Sequence, residues 1–234
     1  MKKNSDQRWS MIKAHFEREA KSFDKNFFKV APFYKETIDA LIGALPFPEN
    51  KKIRVIDLGC GTGNITQALL KRYPQAQVTC IDLAEQMITM AKDKLSGFKN
   101  IKYWAGDVRD FPYQEKNDAV IGSLVSHHIE KKEKTSFYRK ILNALASGGV
   151  FYTADIVLGS NDYLQKLYIN RWKDFMRQNI SEKQIAATLK KHKTEDTPSK
   201  LIDELSMLRS AGFKEIDVIW KQHYFCVYGG VNKK

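Results

Sequence analysis

The residues best suited to bind a ligand lie between Val55 and Asn64, where the chain reads VIDLGCGTGN. Glycines alternate at positions 59, 61 and 63, and Asp57 stands just before them. Because glycine has no Cβ, the chain can turn sharply here and a ligand can approach the backbone. The apolar run before the glycines predicts a buried strand, and Asn64 to Tyr73 predicts a helix. Together they indicate a nucleotide-type pocket at the carboxyl edge of a parallel sheet.

The glycine pattern differs from two common phosphate-binding loops. G-x-x-x-x-G-K-[ST] does not occur, and G-x-G-x-x-G would need a glycine where the chain has Asn64. An acid at Asp57 favours a ligand with a positive charge, such as S-adenosylmethionine with its amino group and sulfonium. VIDLGCGTGN resembles the first motif of the class I S-adenosylmethionine-dependent methyltransferases, in particular the small-molecule type with methyltransferase domains 25 or 11.

This resemblance implies that the cofactor is S-adenosylmethionine, with S-adenosylhomocysteine as its product. The alternative for the glycines is a tight turn that binds nothing. The cofactor-binding residues that the first motif implies are Asp57, Gly59, Cys60, Gly61 and Gly63.

A second acid ends the next predicted strand, Gln77 to Asp82. A carboxylate at the tip of this strand can accept hydrogen bonds from both ribose hydroxyls of a nucleoside. The alternative is that Asp82 caps the helix predicted from Ala84 to Ser96. Leu83 and Met87 are predicted to enclose the adenine, although a methionine at helical spacing is commonly part of the core.

The third predicted strand, Ile101 to Ala105, is followed by Gly106, Asp107 and Val108. The family resemblance implies that Asp107 accepts a hydrogen bond from the adenine amine and that the next backbone N–H meets the ring. An ordinary turn is the alternative for an acid after glycine. Ser123, near the end of the fourth predicted strand, completes the predicted cofactor-binding set.

His127 and His128 follow the fourth predicted strand, Asn117 to Leu124, and are the candidate catalytic residues. A neutral histidine could remove a proton from the methyl acceptor. The alternative is that both histidines hold the turn by side-chain hydrogen bonds. Adjacent histidines lack the spacing of a helical zinc site, and no cysteine or carboxylate cluster joins them in the sequence. We therefore predict no metal.

Methyl transfer from a sulfonium is an in-line displacement that depends on positioning and on exclusion of water. No tetrapeptide of the P-P-Y type follows the fourth strand, which speaks against amino-methylating nucleic-acid enzymes. No tandem cysteines are present, which speaks against C5 base methylases. The prediction is a small-molecule acceptor with an oxygen, nitrogen or sulfur nucleophile. The residues predicted to line its entrance are Tyr34, Tyr168, Arg171 and Trp172.

Alternating strand and helix patterns predict an α/β fold with a Rossmann-like doubly wound sheet. The sheet is expected to be mostly parallel, and the resemblance implies an antiparallel last strand. The predicted organisation is an N-terminal helical lid, residues 1–48, and a class I methyltransferase domain, residues 49–234. A helical cap insertion is predicted at about residues 160–211.

The cap is predicted as three helices, Asp162 to Gln178, Ser181 to Lys193 and Pro198 to Ala211. Ser181 and Gln184 form a capping-box pattern, and Thr197-Pro198 is a typical helix start. Lys190 to Thr197 is polar and is expected to be a mobile connection.

Two further predictions concern the last strands of the sheet. Ser147-Gly148-Gly149 predicts a glycine C-cap for the helix from Glu130 to Ala146. Ile216 to Trp220 and Tyr224 to Tyr228 predict a terminal hairpin.

The chain has 234 residues and a net charge of +12, which suits either a lysine-rich solvated surface or a footprint for RNA or an anionic substrate. Three cysteines without C-x-x-C spacing argue against a disulfide framework. No apolar run is long enough to span a membrane, and no signal peptide is visible. The expected compartment is the cytoplasm, without a membrane partner.

Two alternative functions stay open at this point. The order of Phe23-Asp24 and Ala31-Pro32-Phe33-Tyr34 before the glycine loop is similar to the carboxy-S-adenosylmethionine synthases of tRNA wobble-uridine modification. The other alternative is a non-catalytic protein that binds the cofactor and has no acceptor pocket.

Overall fold

Seven strands form one mixed sheet in the computed structural model, which describes residues 2–114 and 116–233, and the side chains of 7–114 and 116–233. The strands are β1 (Arg54–Leu58), β2 (Gln77–Asp82), β3 (Ile101–Ala105), β4 (Asn117–Ser123), β5 (Leu145–Ile156), β6 (Lys214–Gln222) and β7 (Phe225–Val231). Their spatial order is β3-β2-β1-β4-β5-β7-β6. The first five strands pair in parallel, and β7 lies antiparallel between β5 and β6.

Nine α-helices accompany the sheet in these described residues. They are α1 (Lys2–Glu19), α2 (Phe23–Phe27), α3 (Tyr34–Gly43), α4 (Asn64–Arg72), α5 (Glu85–Lys94), α6 (Lys131–Ala144), α7 (Asp162–Arg177), α8 (Glu182–Glu195) and α9 (Leu201–Ala211). None of the helices in the described part of the chain is both long and apolar enough to cross a membrane. The predicted Rossmann-like sheet with an antiparallel last strand is confirmed.

Two hydrophobic cores lie on the two faces of the sheet, and the alternation of β1 divides its residues between them. Val55 packs in the core beneath α3 and α4, whereas Ile56 and Leu58 pack in the core with α6 and α9. All three side chains are almost fully buried. A parallel strand covered on both faces is apolar on both, as the uninterrupted sequence of β1 indicates.

The pairing register brings the strand tips that matter for the site to one edge of the sheet. Leu58 at the end of β1 pairs with Ile81 on one side and Gly122 on the other. Ile81 in turn pairs with Trp104 near the end of β3. The loops that follow these strands therefore begin side by side.

The predicted glycine C-cap at Ser147-Gly148-Gly149 is wrong. Helix α6 ends at Ala144 and the next residue, Leu145, already has extended backbone angles and pairs with Asn117. The glycines therefore lie within β5, where Gly148 has φ +75. Strand pairing ends this helix before the glycines are reached.

The predicted start of the third cap helix at Pro198 is also wrong. Helix α9 begins at Leu201 because the preceding residues are held extended. Thr197 donates its backbone N–H to the His127 carbonyl at 2.6 Å, and Lys200 bridges to Leu158. The predicted capping box of Ser181 and Gln184 and the predicted terminal hairpin are both confirmed.

A buried ion pair joins α6 to α9. Lys134 Nζ contacts Glu204 Oε1, with both side chains at most 2% exposed. Tyr138 donates its hydroxyl to the other Glu204 oxygen at 2.6 Å, and Lys134 also donates to Ser199 Oγ at 3.1 Å. Removing one partner of such a pair leaves an uncompensated buried charge.

We therefore expect Glu204→Ala to lower the free energy of unfolding by about 3–5 kcal/mol, measured by urea denaturation. The control is Asp203→Asn, which breaks the pair of Asp203 with the exposed Lys131 and is expected to cost at most about 1 kcal/mol. Similar losses for the two variants would contradict a special role for the buried pair.

Candidate active site

Three left-handed glycines shape the loop between β1 and α4. The φ angles of Gly59, Gly61 and Gly63 are +61, +54 and +89, a region that side chains rarely adopt. A Cβ at Gly59 would come within 2.2 Å of Val125 Cγ2, so this loop must pack tightly against the loop after β4. A Cβ at Gly61 would meet nothing within 4 Å, which leaves the loop open on that side.

Asp57 lies buried beneath this loop. Its Oδ2 accepts the Thr66 hydroxyl at 2.6 Å, whereas Oδ1 has no hydrogen-bond partner among the described residues. Burial, together with the nearby Asp82, raises the pKa of Asp57 to about 7 against the bond from Thr66. An orphaned carboxylate oxygen next to a second acid favours a bound cation or hydrogen-bond donor.

Asp82 ties two loops together through its carboxylate. Its Oδ2 accepts the Gly61 N–H at 2.8 Å and its Oδ1 accepts the Ala84 N–H at 2.9 Å. The cap of α5 comes instead from Glu17, which accepts the N–H groups of Glu85 and Gln86. Burial raises the pKa of Asp82 to about 6 against these backbone bonds.

Asp107 is held by Arg109, a partner that the sequence motif does not indicate. The Arg109 guanidinium donates to both carboxylate oxygens of Asp107, with Nη2 at 2.6 Å from Oδ2. The same guanidinium lies 4.2 Å from the ring centroid of Trp9 in α1. The acid is thereby fixed in place and linked to the N-terminal segment.

A cavity of about 530 Å³ joins the glycine loop to the histidines. The predicted site residues in its wall are Tyr34, Gly59, Cys60, Gly61, Asp82, Leu83, Met87, Asp107, Val108, Ser123, His127, His128 and Trp172. Apolar side chains from the N-terminal helices, the α7–α8 loop and α8 complete the wall, among them Phe16, Phe27, Ile180 and Ala187.

Five predicted site residues lie outside this wall. Asp57, Gly63 and Gly106 are close in sequence to wall residues but do not line the cavity themselves. Gly106 is packed so closely that a Cβ would lie 2.5 Å from Trp104. Tyr168 lies instead against Lys221 of the terminal hairpin, whose Nζ is 4.4 Å from the Tyr168 ring centroid. Arg171 precedes Trp172 by one residue, so the helix turns it to a different side. Neither residue belongs to the cavity wall, and their place at the entrance stays a prediction.

The N-terminal segment closes the cavity through Asp24. Its Oδ1 accepts the Thr62 hydroxyl at 2.7 Å and the Asn64 amide at 3.0 Å, and its Oδ2 accepts Lys94 Nζ at 2.5 Å. A single residue outside the sheet thus binds both the glycine loop and α5. Nothing in the sequence around Asp24 indicates these contacts.

The segment also reaches the cap. Trp172 of α7 donates its indole N–H to the Val30 carbonyl at 2.6 Å. Arg8 of α1 donates to the carbonyls of Glu195 and His128, each at 2.8 Å.

Two carboxylates meet the adjacent histidines. His127 Nδ1 lies 2.5 Å from Asp155 Oδ1, and His127 Nε2 lies 3.6 Å from Asp196 Oδ1. His128 Nδ1 lies 3.3 Å from the same Asp196 oxygen. Asp155 lies near the carboxyl end of β5, so the rule that ligands bind at the carboxyl ends of parallel strands could have found it. Asp196 lies in the predicted mobile connection, where the sequence carries no such signal.

The pKa values of the two histidines are shifted in opposite directions. Burial lowers the pKa of His127, but the charges of Asp155 and Asp196 outweigh it and raise that pKa above its ordinary value. Burial and the neighbouring His127 lower the pKa of His128. Burial opposes ionisation of Asp196, yet His127 and His128 hold its pKa far below the usual range. The cluster therefore favours one charged and one neutral histidine.

Comparison with known proteins shows which of them this chain resembles. Residues 55–149 match the family model described as a methyltransferase domain. A carboxy-S-adenosyl-L-methionine synthase from Nautilia profundicola is 27% identical over 214 residues, 91% of each chain. A malonyl-[acyl-carrier protein] O-methyltransferase from Acetivibrio thermocellus is 30% identical over 140 residues, 60% of this chain and 47% of that protein.

Solved structures share the fold. A complex described as DhpI-SAM-HEP has a TM-score of 0.65 at 19% identity and covers 92% of this chain and 94% of its own. PigF with S-adenosylhomocysteine has a TM-score of 0.65 at 19% identity and covers 95% of this chain and 62% of its own.

These matches and the glycine loop define the class of protein as S-adenosylmethionine-dependent enzymes with a class I methyltransferase fold. Residues 55–149 match the methyltransferase domain, and the chain has the fold of the class I S-adenosylmethionine-dependent methyltransferases, as its first motif predicted. The pocket fits the cofactor of that class, because the acids Asp82 and Asp107 line it and Gly61 opens towards free space.

Asp82 provides a test of the cofactor end of the site. We expect Asp82→Ala to weaken S-adenosylhomocysteine binding by about 1–3 kcal/mol, because hydrogen bonds of a charged group are lost. Titration calorimetry measures the effect, and the exposed Glu85→Ala is the control. Unchanged affinity in Asp82→Ala would remove this carboxylate from the cofactor site.

A second test concerns His15, which joins α1 to α8. His15 Nδ1 lies 2.7 Å from Glu195 Oε2, and its Nε2 lies 3.6 Å from Glu19 Oε2. The other Glu19 oxygen, Oε1, lies 2.8 Å from Lys191 Nζ. Bonds to Glu19 and Glu195 raise the pKa of His15 to about 9, and His15 lowers the pKa of Glu19 to about 2. A raised histidine pKa stabilises the fold below the unfolded value near 6.5 and loses this effect as the pH rises through 9.

We therefore expect His15→Gln to be less stable than the wild type by about 1–3 kcal/mol at pH 6, with the gap closing by about pH 10. The gap also narrows between pH 4.5 and 2, because Glu19 then becomes protonated. Urea denaturation of both proteins at each pH provides the difference. A gap that does not change with pH would contradict the ion-pair assignment.

Proposed function

We propose that this enzyme transfers the methyl group of S-adenosylmethionine to an oxygen, nitrogen or sulfur nucleophile of a small-molecule acceptor. The observation that carries the proposal is the cavity of about 530 Å³, which runs from the glycine loop to the histidines. One end is built from strand tips of the sheet, and the other lies under the N-terminal helices and α8. A cofactor and a small acceptor can meet inside it.

Two sets of residues divide the cavity between cofactor and acceptor. At the sheet edge, Asp82 and Asp107 are the acids available to the nucleoside, while Leu83 and Met87 supply an apolar wall. The acceptor set begins beyond Ser123. It consists of the apolar residues Leu124, Val125, Ile156, Trp172, Ile180, Ala187 and Phe225, with His127 and His128 as polar groups.

The chain's own contribution to such a reaction is positioning and exclusion of water. S-adenosylmethionine supplies a methyl group on a sulfonium, from which the sulfur departs as a neutral thioether, a good leaving group. In-line attack then requires the acceptor atom to be held about 3 Å from the methyl carbon. The contacts of Asp24 and Trp172 hold the N-terminal segment over the cavity, which keeps bulk water out.

His127 and His128 are proposed to contact the acceptor. Both rings lie in the cavity wall, and Asp155 orients the His127 ring through Nδ1. A fixed ring can hold the nucleophilic atom of the acceptor by hydrogen bonding. In this proposal residues 1–48 act as a lid and residues of about 160–211 act as a cap.

A second candidate function is carboxy-S-adenosylmethionine synthesis, because relatives with that name align over nearly the whole chain. The name implies a product that carries a carboxylate, which a nearby cation would stabilise. The residues that follow Ser123 in the cavity wall, Leu124 and Val125, are apolar. Apart from the histidines, the cationic side chains of the described wall are Lys29 and Lys191. Methyl transfer is proposed first because the wall next to Ser123 is apolar, whereas Lys29 and Lys191 are the groups available to a carboxylate.

Mass spectrometry distinguishes the two candidates. We expect incubation with S-adenosylmethionine and a panel of small nucleophiles to form S-adenosylhomocysteine and an acceptor that has gained one CH₂ group. A carboxylated cofactor without a methylated acceptor, formed once a small carboxylic acid is added as carboxyl donor, would overturn methyl transfer in favour of the second candidate. If the cofactor binds but is not consumed with any acceptor, tRNA included, both candidates are contradicted.

We also expect His127→Ala to lower turnover by about tenfold or more while the affinity for S-adenosylhomocysteine stays unchanged. His223→Asn is the matched control, since His223 lies in the β6–β7 turn with φ +50, a conformation that asparagine tolerates. Equal turnover of His127→Ala and wild type would restrict His127 to holding the turn.

A further inference from the structure

Three side-chain atoms with the chemistry of metal ligands converge at the acceptor end of the cavity. They are His127 Nε2, His128 Nδ1 and Asp196 Oδ1, and all lie within 4.8 Å of one another. We propose that His127, His128 and Asp196 bind a divalent transition-metal cation of the Zn²⁺ type. The proposal departs from the absence of a metal predicted from the sequence.

The spacing of the three atoms suits a metal better than it suits hydrogen bonds between them. Asp196 Oδ1 is 3.6 Å from His127 Nε2 and 3.3 Å from His128 Nδ1. Ligands at about 2.0–2.1 Å from a tetrahedral Zn²⁺ lie roughly 3.3–3.5 Å apart. The two measured distances bracket that range, so a cation could enter with little movement.

An independent observation at the same place is an unsatisfied nitrogen. His128 is 8% exposed, and its Nδ1 makes no hydrogen bond to any of the described residues. A buried polar atom without a hydrogen bond is costly, and a bound ion is one of the ordinary explanations. This nitrogen belongs to the three-atom group, so one cation would satisfy it.

The atoms behind the three ligands are arranged as in known metal sites. His127 Nδ1 is paired with Asp155 at 2.5 Å, and Asp155 also accepts the Ser126 N–H at 2.7 Å. The other oxygen of Asp196 is paired with His192 Nδ1 at 2.6 Å. A carboxylate behind a histidine ligand fixes the ring and makes its free nitrogen a better donor.

The chemistry of the ligands selects the type of cation. Two imidazoles and one carboxylate suit Zn²⁺ and its transition-metal neighbours, whereas Mg²⁺ prefers oxygen ligands. Three protein ligands leave a coordination position free, as in catalytic rather than structural zinc sites. All three residues line the cavity. That the free position would take the acceptor's nucleophilic atom rests on the proposed function; the binding site itself does not.

The test is metal binding by untagged protein that has been stripped with a chelator, in the absence of cofactor and acceptor. We expect titration calorimetry to show one Zn²⁺ per chain and no saturable Mg²⁺ binding. His128→Gln and Asp196→Asn are each expected to weaken Zn²⁺ binding at least about tenfold, and Asp155→Asn about 10–100-fold. His223→Asn is the control and is expected to bind Zn²⁺ like the wild type.

Absence of one-to-one Zn²⁺ binding, or equal affinity in wild type, His128→Gln and Asp196→Asn, would overturn the site and leave a cluster of ion pairs. Circular dichroism checks that each variant folds. If one does not, the Co²⁺ absorption spectrum of the wild type decides: strong tetrahedral bands support the site, and a spectrum identical to that of Co²⁺ in buffer overturns it. Because no methyl transfer is measured, failure of the metal site and failure of the proposed function are distinguishable.

Discussion

The whole site depends on one constraint of the sheet, which is that its parallel strands end at the same edge. The register of β1 with β2 and β4 places the glycine loop beside Asp82 on one side and beside Val125 on the other. Asp82 then joins this loop to the start of α5 by accepting two backbone N–H groups. A shift in register would separate these loops. The backbone pairing of β1 with β2 and β4 therefore positions the end of the cavity next to the glycine loop.

The end of the cavity next to the histidines depends on segments outside the parallel sheet. Asp24 binds the glycine loop and α5 from one side, while Trp172 joins the N-terminal segment to α7. The loop after α8 contributes Asp196, which faces histidines that follow β4. Buried charges are tolerated here because each one has a partner of opposite sign. Packing and electrostatics thus close the same cavity that the sheet begins.

Much of the fold was predictable because its signals are local. Strands β2 and β3 have the predicted bounds, since short β-branched runs end at acids and glycines. The capping box of α8 was predictable for the same reason. The start of α9 and the end of α6 were not, because Thr197 and Leu145 are held extended by partners far away in the chain. Pairing across the tertiary structure there outweighed the local preference for a helix start at Pro198 and a glycine cap at Gly148.

By itself, the amino-acid sequence determined the class of enzyme and the cofactor loop, because positive φ angles demand glycine and a buried parallel strand demands an apolar run. Asp57 and Asp82 belong to that local pattern. Only the tertiary structure decided what surrounds the histidines. Asp155 and Asp196 reach them from a strand tip and from a cap segment, and Arg109 binds Asp107 while it packs on Trp9. Such contacts join side chains whose separation along the chain carries no periodic signal, so folding alone brings them together.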